Sequence, residues 1–230
     1  VLYQNDDFGK DYLNGIKSGL GDKAAKMVVA EFSYEVAEPT VDSQILKIKD
    51  VGADLFFSAA TPKPTAQAIK KIAEVGWKPV QIVSMKATSI GSAIKPAGLE
   101  DAKGVISTNY GKEPLDPEWK DDPGVKKYLA FMEKYYPEGD KYSNFNTYAY
   151  GAAQLLVYVL EQCGDDLTRE NVLKQATSIK DYQADFSLPG IKFSTSPTDY
   201  RLRKQFRMMR FNGERWEMFG PIVEDAGPAG

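Results

Sequence analysis

Histidine is absent from this sequence, and with it go the commonest general base, the usual zinc ligand and the ordinary pH switch. Cysteine occurs once, at Cys163, so no internal disulfide forms and the thiol has no histidine to activate it; it reads as a buried or helix-end thiol. No apolar run approaches the ~20 residues that a bilayer-spanning helix needs. There is no excess of positive charge either. The 29 Lys and Arg against 32 Asp and Glu leave a net charge of -3, which offers no field for nucleic acid or an anionic membrane. The recurrent phosphate and nucleophile motifs are missing too. The turn "NDDFGK" holds one glycine where a dinucleotide fold needs G-x-G-x-x-G, and neither G-x-x-x-x-G-K-[ST] nor G-x-S-x-G occurs. With these gone, the sequence gives no reason to expect an enzyme, a cofactor or a metal.

What is present suits a globular protein with ample core: 230 residues, 43% hydrophobic and 27% charged. The chain opens without Met, inside the strand-like run Val1-Leu2-Tyr3, and shows no signal peptide, as expected if something upstream was removed. The tail from about 223 to 230, "EDAGPAG" at its end, reads as disordered.

One rhythm fills the first hundred residues. Tyr12, Leu13, Ile16 and Leu20 mark a helix face closed by Gly21, and "KMVVAEFSY" reads as the next strand. Val41, Ile45 and Ile48 line a second helix, and the continuous apolar run "ADLFFSAA" reads as a strand covered on both faces. A third helix, "PKPTAQAIKKIAEVGW", leads to the strand "VQIVSM". Short helices about Ile90, Ile94 and Leu99 precede the strand "GVISTNY". Strands alternating with helices of this length call for right-handed βαβ units and a doubly wound parallel sheet, an α/β fold.

The rhythm then breaks at the connector "GKEPLDPEWKDDPG", rich in proline and acid, of the kind that crosses between domains. A helix marked by Val125, Leu129 and Met132 follows. The next, "NTYAYGAAQLLVYVLEQCG", is apolar on nearly every face and therefore expected to be buried. A third carries Thr168 as N-cap. "GIKFSTS" reads as a strand, and two alternating strands about Asn212-Gly213 read as a hairpin.

In such a sheet, ligands sit beyond the strand C-termini. Those ends comprise Asn5 to Gly9, Ser58 to Thr61, Ser84 to Thr88 with Met85 and Lys86, and Asn109-Tyr110. Asp6-Asp7 fit helix-capping carboxylates better than an acid–base pair. Phe8 either folds back on its own helix or walls a small organic ligand, with Gly9 giving that ligand room. Thr61 is a simple N-cap or a cap facing the crevice. Lys86 is a solvated lysine or a cation for an anionic ligand. Tyr110 is a cleft wall or a hinge-packing residue. Ala60 lies in the same loop as Thr61.

The D-x-x-F-G turn at Asp6–Gly9, the βα series, the helices of "FNTYAYGAAQLLVYVLEQCGDDLTRENV" and the hairpin "MMRFNGERWEMFG" together resemble the branched-chain amino acid type of periplasmic binding protein. These leucine-binding-protein-like (type I) receptors serve ABC importers. The resemblance covers essentially the whole chain but only the later part of a family member. It implies two α/β lobes joined by three hinge crossings, closing on a ligand. Residues 1–108 and 196–222 would be lobe two. Residues 109–195 would be the later part of lobe one, whose earlier part would lie upstream. Phe8 falls where amino acid binders place an aromatic, often a tyrosine. Ala59, Ala60 and Thr61 match a loop where leucine binders carry an aromatic. Lys86 falls at or beside the carboxylate that receives the ligand's ammonium, so the resemblance with this departure implies a neutral or anionic ligand. It further implies a periplasmic location, an ABC permease as partner and no membrane insertion. Two other readings stay open: a sensor domain of a regulator or receptor with this fold, and, weakly, a doubly wound enzyme. A helix from about 146 to 162 without its lobe-one partners would expose an apolar patch and drive self-association.

Overall fold

Three apolar-to-polar residues make the first strand, and the turn after it is set by one carboxylate. In the computed structural model, which describes residues 1–225 apart from Leu115 and Tyr142, β1 (Leu2–Gln4) passes through Asn5-Asp6 into α1 (Asp7–Leu20). The Asp6 carboxylate accepts the Gly9 N–H at 3.0 Å and caps the helix, which ends at Gly21 with φ +53°. The chain continues through α2 (Ala24–Met27), β2 (Phe32–Tyr34), α3 (Asp42–Asp50), β3 (Leu55–Ala59), α4 (Pro62–Glu74) and β4 (Val80–Val83). A π-helical turn at Ile90–Ile94 runs into α5 (Lys95–Ala97), and β5 (Ile106–Asn109) follows. "KMVVAEFSY" is thus a strand only over its last three residues, because Ala24–Met27 complete a helical turn first.

The strands β1 to β5 pair in parallel: Leu2 opposite Phe32 and Ser58, Leu55 opposite Val80, Ile82 opposite Ile106. A hairpin, β6 (Gln205–Phe211) and β7 (Trp216–Glu224), completes the order β2-β1-β3-β4-β5-β6-β7. Its turn is held by the Asn212 side-chain oxygen, which accepts the N–H groups of Glu214 and Arg215, with Gly213 at φ +106°. The doubly wound parallel sheet inferred from the βα rhythm is therefore present. Since β2 lies on one side of β1 and β3 on the other, the winding reverses at the C-terminal ends of β1 and β3.

Two compact units result. The first is Val1–Thr108 with Met208–Phe219. Its core has two clusters. Leu2, Tyr34, Ile45, Ile48, Phe56 and Ile72 form one; Ile69, Val83, Ile94, Met209, Phe211 and Trp216 form the other. Helix α4 serves both, through Ile72 and Ile69 respectively. The second unit is Asn109–Arg207 with residues 220–225. Residues 196–207 and 220–222, expected with the first unit, therefore group with the second. The Gln205 side chain accepts the Lys192 N–H at 2.9 Å and ties the segment to the second unit, while Asp199 braces the segment internally by pairing with Arg201 and Lys204. Val223 and Glu224, expected in a disordered tail, finish β7; residues 226–230 of that tail lie outside the described residues.

In the second unit, α6 (Pro123–Tyr135) supplies Val125, Tyr128 and Met132 to a cluster with Phe186, Tyr150 of α7 (Asn144–Cys163) packs against it, and α8 (Arg169–Ala176) lies against α7. Asp122 caps α6 and also takes the Lys112 ammonium at 2.6 Å, a largely buried pair. Two expectations fail here. "GIKFSTS" forms no strand: Tyr182 and Phe193 exchange one pair of hydrogen bonds, and Gly190 at φ +84° interrupts the extended run. Helix α7, expected to be buried all round, buries Val159 and Cys163, whereas Leu156 and Val157 stand more than half exposed. Among the described residues no second layer covers that side.

Glu113 is an ionisable group held against its preference. Burial pushes its carboxyl up to about 7, with Asp116 and Asp140 adding repulsion. Because the folded value lies above the unfolded one, this group costs nothing at pH 4 and costs progressively more as the pH rises from 4.5 to about 7. Glu113→Gln should therefore stabilise the protein by about 2 kcal/mol at pH 8 and leave it unchanged at pH 4, read from urea midpoints at the two pH values.

Candidate functional site

The winding reversal leaves three polar side chains at the ends of buried strands. Gln4 ends β1 and Tyr34 ends β2, both buried, and Thr61 follows β3. The Tyr34 hydroxyl donates to Gln4 Oε1 at 2.9 Å, and the Thr61 hydroxyl donates to the same oxygen at 3.4 Å. The Thr61 N–H donates to the Tyr34 oxygen at 3.3 Å. Gln4 passes its own amide hydrogen to Asp6 Oδ2, so one network joins the turn after β1 to the starts of α1 and α4. The Asp6 carboxyl is held below its ordinary range, first by the Gly9 N–H and then by Gln4. Burial, the larger effect, pushes the Tyr34 phenol up. Thr61 occupies the N-cap position of α4 without making a side-chain cap; its hydroxyl belongs to this network instead.

Phe8 is half-buried, with its ring edge-on to Tyr12 at 5.2 Å, and Tyr12 lies 6.1 Å from Phe57. The phenyl group thus does lean on its own helix, one of the two readings of this residue. The same contact carries it toward β4: the Tyr12 oxygen accepts the Met85 backbone N–H, while burial pushes that phenol up. Met85 and Lys86, both half-buried, lie in the helical turn Met85–Ala87. That turn is pinned at its end, where the Thr88 hydroxyl donates to Met85 O and the Trp216 indole donates to Thr88 O, both at 2.9 Å.

Gly9 and Ala60 have other duties than those the sequence suggested. A Cβ at residue 9 would lie 2.0 Å from the Gln4 carbonyl oxygen, so the space is filled by the backbone of β1 and gives no room to a ligand. Ala60 is fully buried among core residues, and its carbonyl accepts the Ser84 hydroxyl at 2.8 Å. Tyr110 belongs to the second unit, where the Arg203 guanidinium lies 4.7 Å from its ring centre. The C-terminal edge of the first sheet therefore carries Phe8, Thr61, Met85 and Lys86 as side chains at or near the surface. Sequence reading passed over Gln4, Tyr34 and Tyr12. A polar residue ending an otherwise apolar strand was the available signal for the first two. Among the described residues, no group of three or more acidic or cysteine side chains could hold a metal ion, and no helix is long and apolar enough to cross a membrane.

Residues 1–215 match the model of a protein family described as periplasmic binding protein. The chain belongs to that family. Solved structures share its fold. A branched chain amino acid ABC transporter protein from Thermus thermophilus with bound valine superimposes at a TM-score of 0.80 with 16% identity, over 98% of this chain and 60% of that one. A leucine binding protein from Thermotoga maritima gives 0.72 at 14% identity, over 97% and 60%. An extracellular ligand-binding receptor from Rhodopseudomonas palustris gives 0.70 at 20%, over 95% and 62%. The chain thus spans about three fifths of these structures. No curated protein matches it. The periplasmic binding protein fold accounts for the parallel sheet, the closing hairpin and the partial helical unit together.

Gly9→Ala should destabilise the protein by about 2–3 kcal/mol, since the added methyl meets rigid backbone at 2.0 Å and α1 must shift off β1. Chemical denaturation of the variant beside wild type measures it.

Proposed function

We propose that this chain is the ligand-capturing part of an extracytoplasmic, periplasmic solute-binding receptor that hands a small organic molecule to the permease of an ABC importer. The observation that carries the reading is the set of side chains along the C-terminal edge of a periplasmic binding protein sheet, Phe8 and Thr61 at its winding reversal and Met85 and Lys86 after the next strand, β4. Capture proceeds by closure of two lobes on the ligand, with no bond made or broken. Phe8 offers a stacking face without a hydroxyl, Thr61 a hydrogen-bonding edge and Lys86 a positive charge. The names of similar structures speak of leucine and valine, and a branched-chain amino acid remains within the ligand class. The loop Ser84–Ala87, however, supplies a cation and no carboxylate to meet an ammonium group. The ligand that suits it best is a neutral or anionic carboxylate, keto acid or amide with a branched or aromatic body.

Titration calorimetry with leucine, valine, 4-methyl-2-oxopentanoate, phenylpyruvate and benzoate tests this. The keto or aromatic acids should bind, and Phe8→Ala should weaken them by about tenfold through loss of the aromatic contact. Micromolar binding of leucine or valine together with silence from the acids would overturn the ligand class.

The exposed side of α7, with Phe145, Leu156, Val157 and Leu160, supports self-association of the 230-residue chain through this helix. Sedimentation equilibrium should then show dimers that Leu156→Glu dissociates. A single 25.5 kDa species at all concentrations would refute the association.

A further inference from the structure

A second, unassigned cavity lies wholly inside the second unit. It holds about 300 Å³, the lower end of the range for small-molecule pockets, against one side of α7 and the segments around residues 182–193 and 202–203. Arg203 stands at its wall. The guanidinium lies between two phenol rings, 4.7 Å from the centre of Tyr110 and 4.6 Å from that of Tyr148. Stacking of this kind satisfies the faces of the cation but none of its in-plane N–H donors. Among the described residues no carboxylate pairs with it, and its Nε is shut off from solvent without a hydrogen-bond partner. A guanidinium stays charged at any physiological pH, so this donor cannot be discharged by deprotonation.

The second observation is independent. Ser187 lines the same cavity, is 2% exposed, and its hydroxyl also has no partner. Its backbone N–H donates to Ala184 O at 2.9 Å, and among the described residues none takes up the hydroxyl. Buried donors are ordinarily matched, and two unmatched ones in a single cavity, one of them charged, mark a place where an acceptor belongs. The rest of the wall is apolar, with Leu155 and Phe193 prominent.

We propose that this cavity is an anion-binding site for a small monocarboxylate with a compact aromatic or branched body. One carboxylate oxygen accepts from the Arg203 guanidinium and the other from the Ser187 hydroxyl, while the apolar body lies along Leu155 and Phe193. A guanidinium already clamped between two rings loses little rotational freedom on binding, so its donors are fixed in advance. The site is separate from Phe8 and Lys86 and stands whether or not those residues capture a solute.

Phenylacetate and its neutral isostere phenylacetamide, titrated calorimetrically into the protein carrying Phe8→Ala and Lys86→Met, which removes the first proposed site, test the assignment. In that background phenylacetate should bind and phenylacetamide should not. Ser187→Ala should weaken phenylacetate by about tenfold or more, the worth of one hydrogen bond to a charged group, without lowering the melting temperature, because the hydroxyl has no protein partner to lose. Arg203→Met should weaken it by at least tenfold, as expected for loss of the charged donor. Should Arg203→Met fail to fold, the Ser187→Ala result carries the test. In that background, equal binding of acid and amide, binding indifferent to Ser187→Ala, or no binding of phenylacetate at all would each overturn the proposal.

Discussion

Helix and strand backbones meet at Gly9, which lies so near the Gln4 carbonyl that no side chain fits between them. That contact fixes where α1 leaves the sheet, and much at the C-terminal edge follows from it. It sets the Asp6 carboxylate against the Gly9 N–H as a cap. It holds the Gln4 side chain where it can receive both Tyr34 and Thr61. It also places Phe8 one residue before the contact, on the first turn of α1, with its ring against Tyr12. A bulky aromatic in a polar turn is thus explained by geometry: the turn is too tight to send Phe8 into the core, and the neighbouring tyrosine supplies the apolar surface it lacks.

The first unit was legible in the sequence because each of its elements signals its own kind. Parallel strands covered by helices need continuous apolar runs, and "ADLFFSAA" has one; the helices between them carry a single apolar face, as Ile45 and Ile48 on α3 illustrate. Periodicity was less reliable where strand and helix propensities compete. "KMVVAEFSY" is rich in β-formers, yet Met27 closes a helical turn, since sheet pairing with β1 is available only from Phe32 onward. In the second unit a local pattern was read as burial. Helix α7 is apolar on nearly every face, but burial requires a neighbour, and a pattern within one segment carries no information on whether that neighbour is present. "GIKFSTS" failed for the same reason: a strand is defined by its partner, and among the described residues the segment makes isolated bridges, Phe193 with Tyr182 and Ser196 with Asp199, in place of a ladder.

Of the candidate site, the loops were legible in the sequence and the direction of their side chains was not. The rule that ligands gather at strand C-termini selects the loops that the fold brings to one edge of the sheet. It did not say which residues in them face outward. Ala60 follows a strand end yet points into the core, and Gly9 is small for the sake of β1. Gln4 and Tyr34 went unnoticed because a single polar residue closing a three-residue strand looks like the beginning of the loop. Their mutual hydrogen bonds become visible only when β1 and β2 are set side by side, since 30 residues separate them in sequence.

The electrostatics of the first unit's C-terminal edge bear on which solutes suit it. Four acidic residues follow β1 and β2: Asp6, Asp7, Glu35 and Glu38. Asp7 is exposed on the first turn of α1, where it faces the positive end of the helix, and the other three each serve a local donor. Both Asp6 oxygens are taken, by the Gly9 N–H and the Gln4 amide. Glu35 accepts the Asn5 side-chain amide. Glu38 accepts the Glu35 N–H and the Gln44 amide, and these hold its carboxyl below the ordinary range. An ammonium ligand entering here would compete with neutral donors that shape the loops, so recruiting any of these acids would loosen the turn that presents Phe8 and Thr61. A carboxylate or carbonyl ligand asks nothing of them. It needs only donors, and the positive charge of Lys86 lies in the loop after β4 that has no acid of its own. The proposed preference for neutral or anionic solutes therefore rests on how Asp6, Glu35 and Glu38 are occupied as much as on the lysine itself.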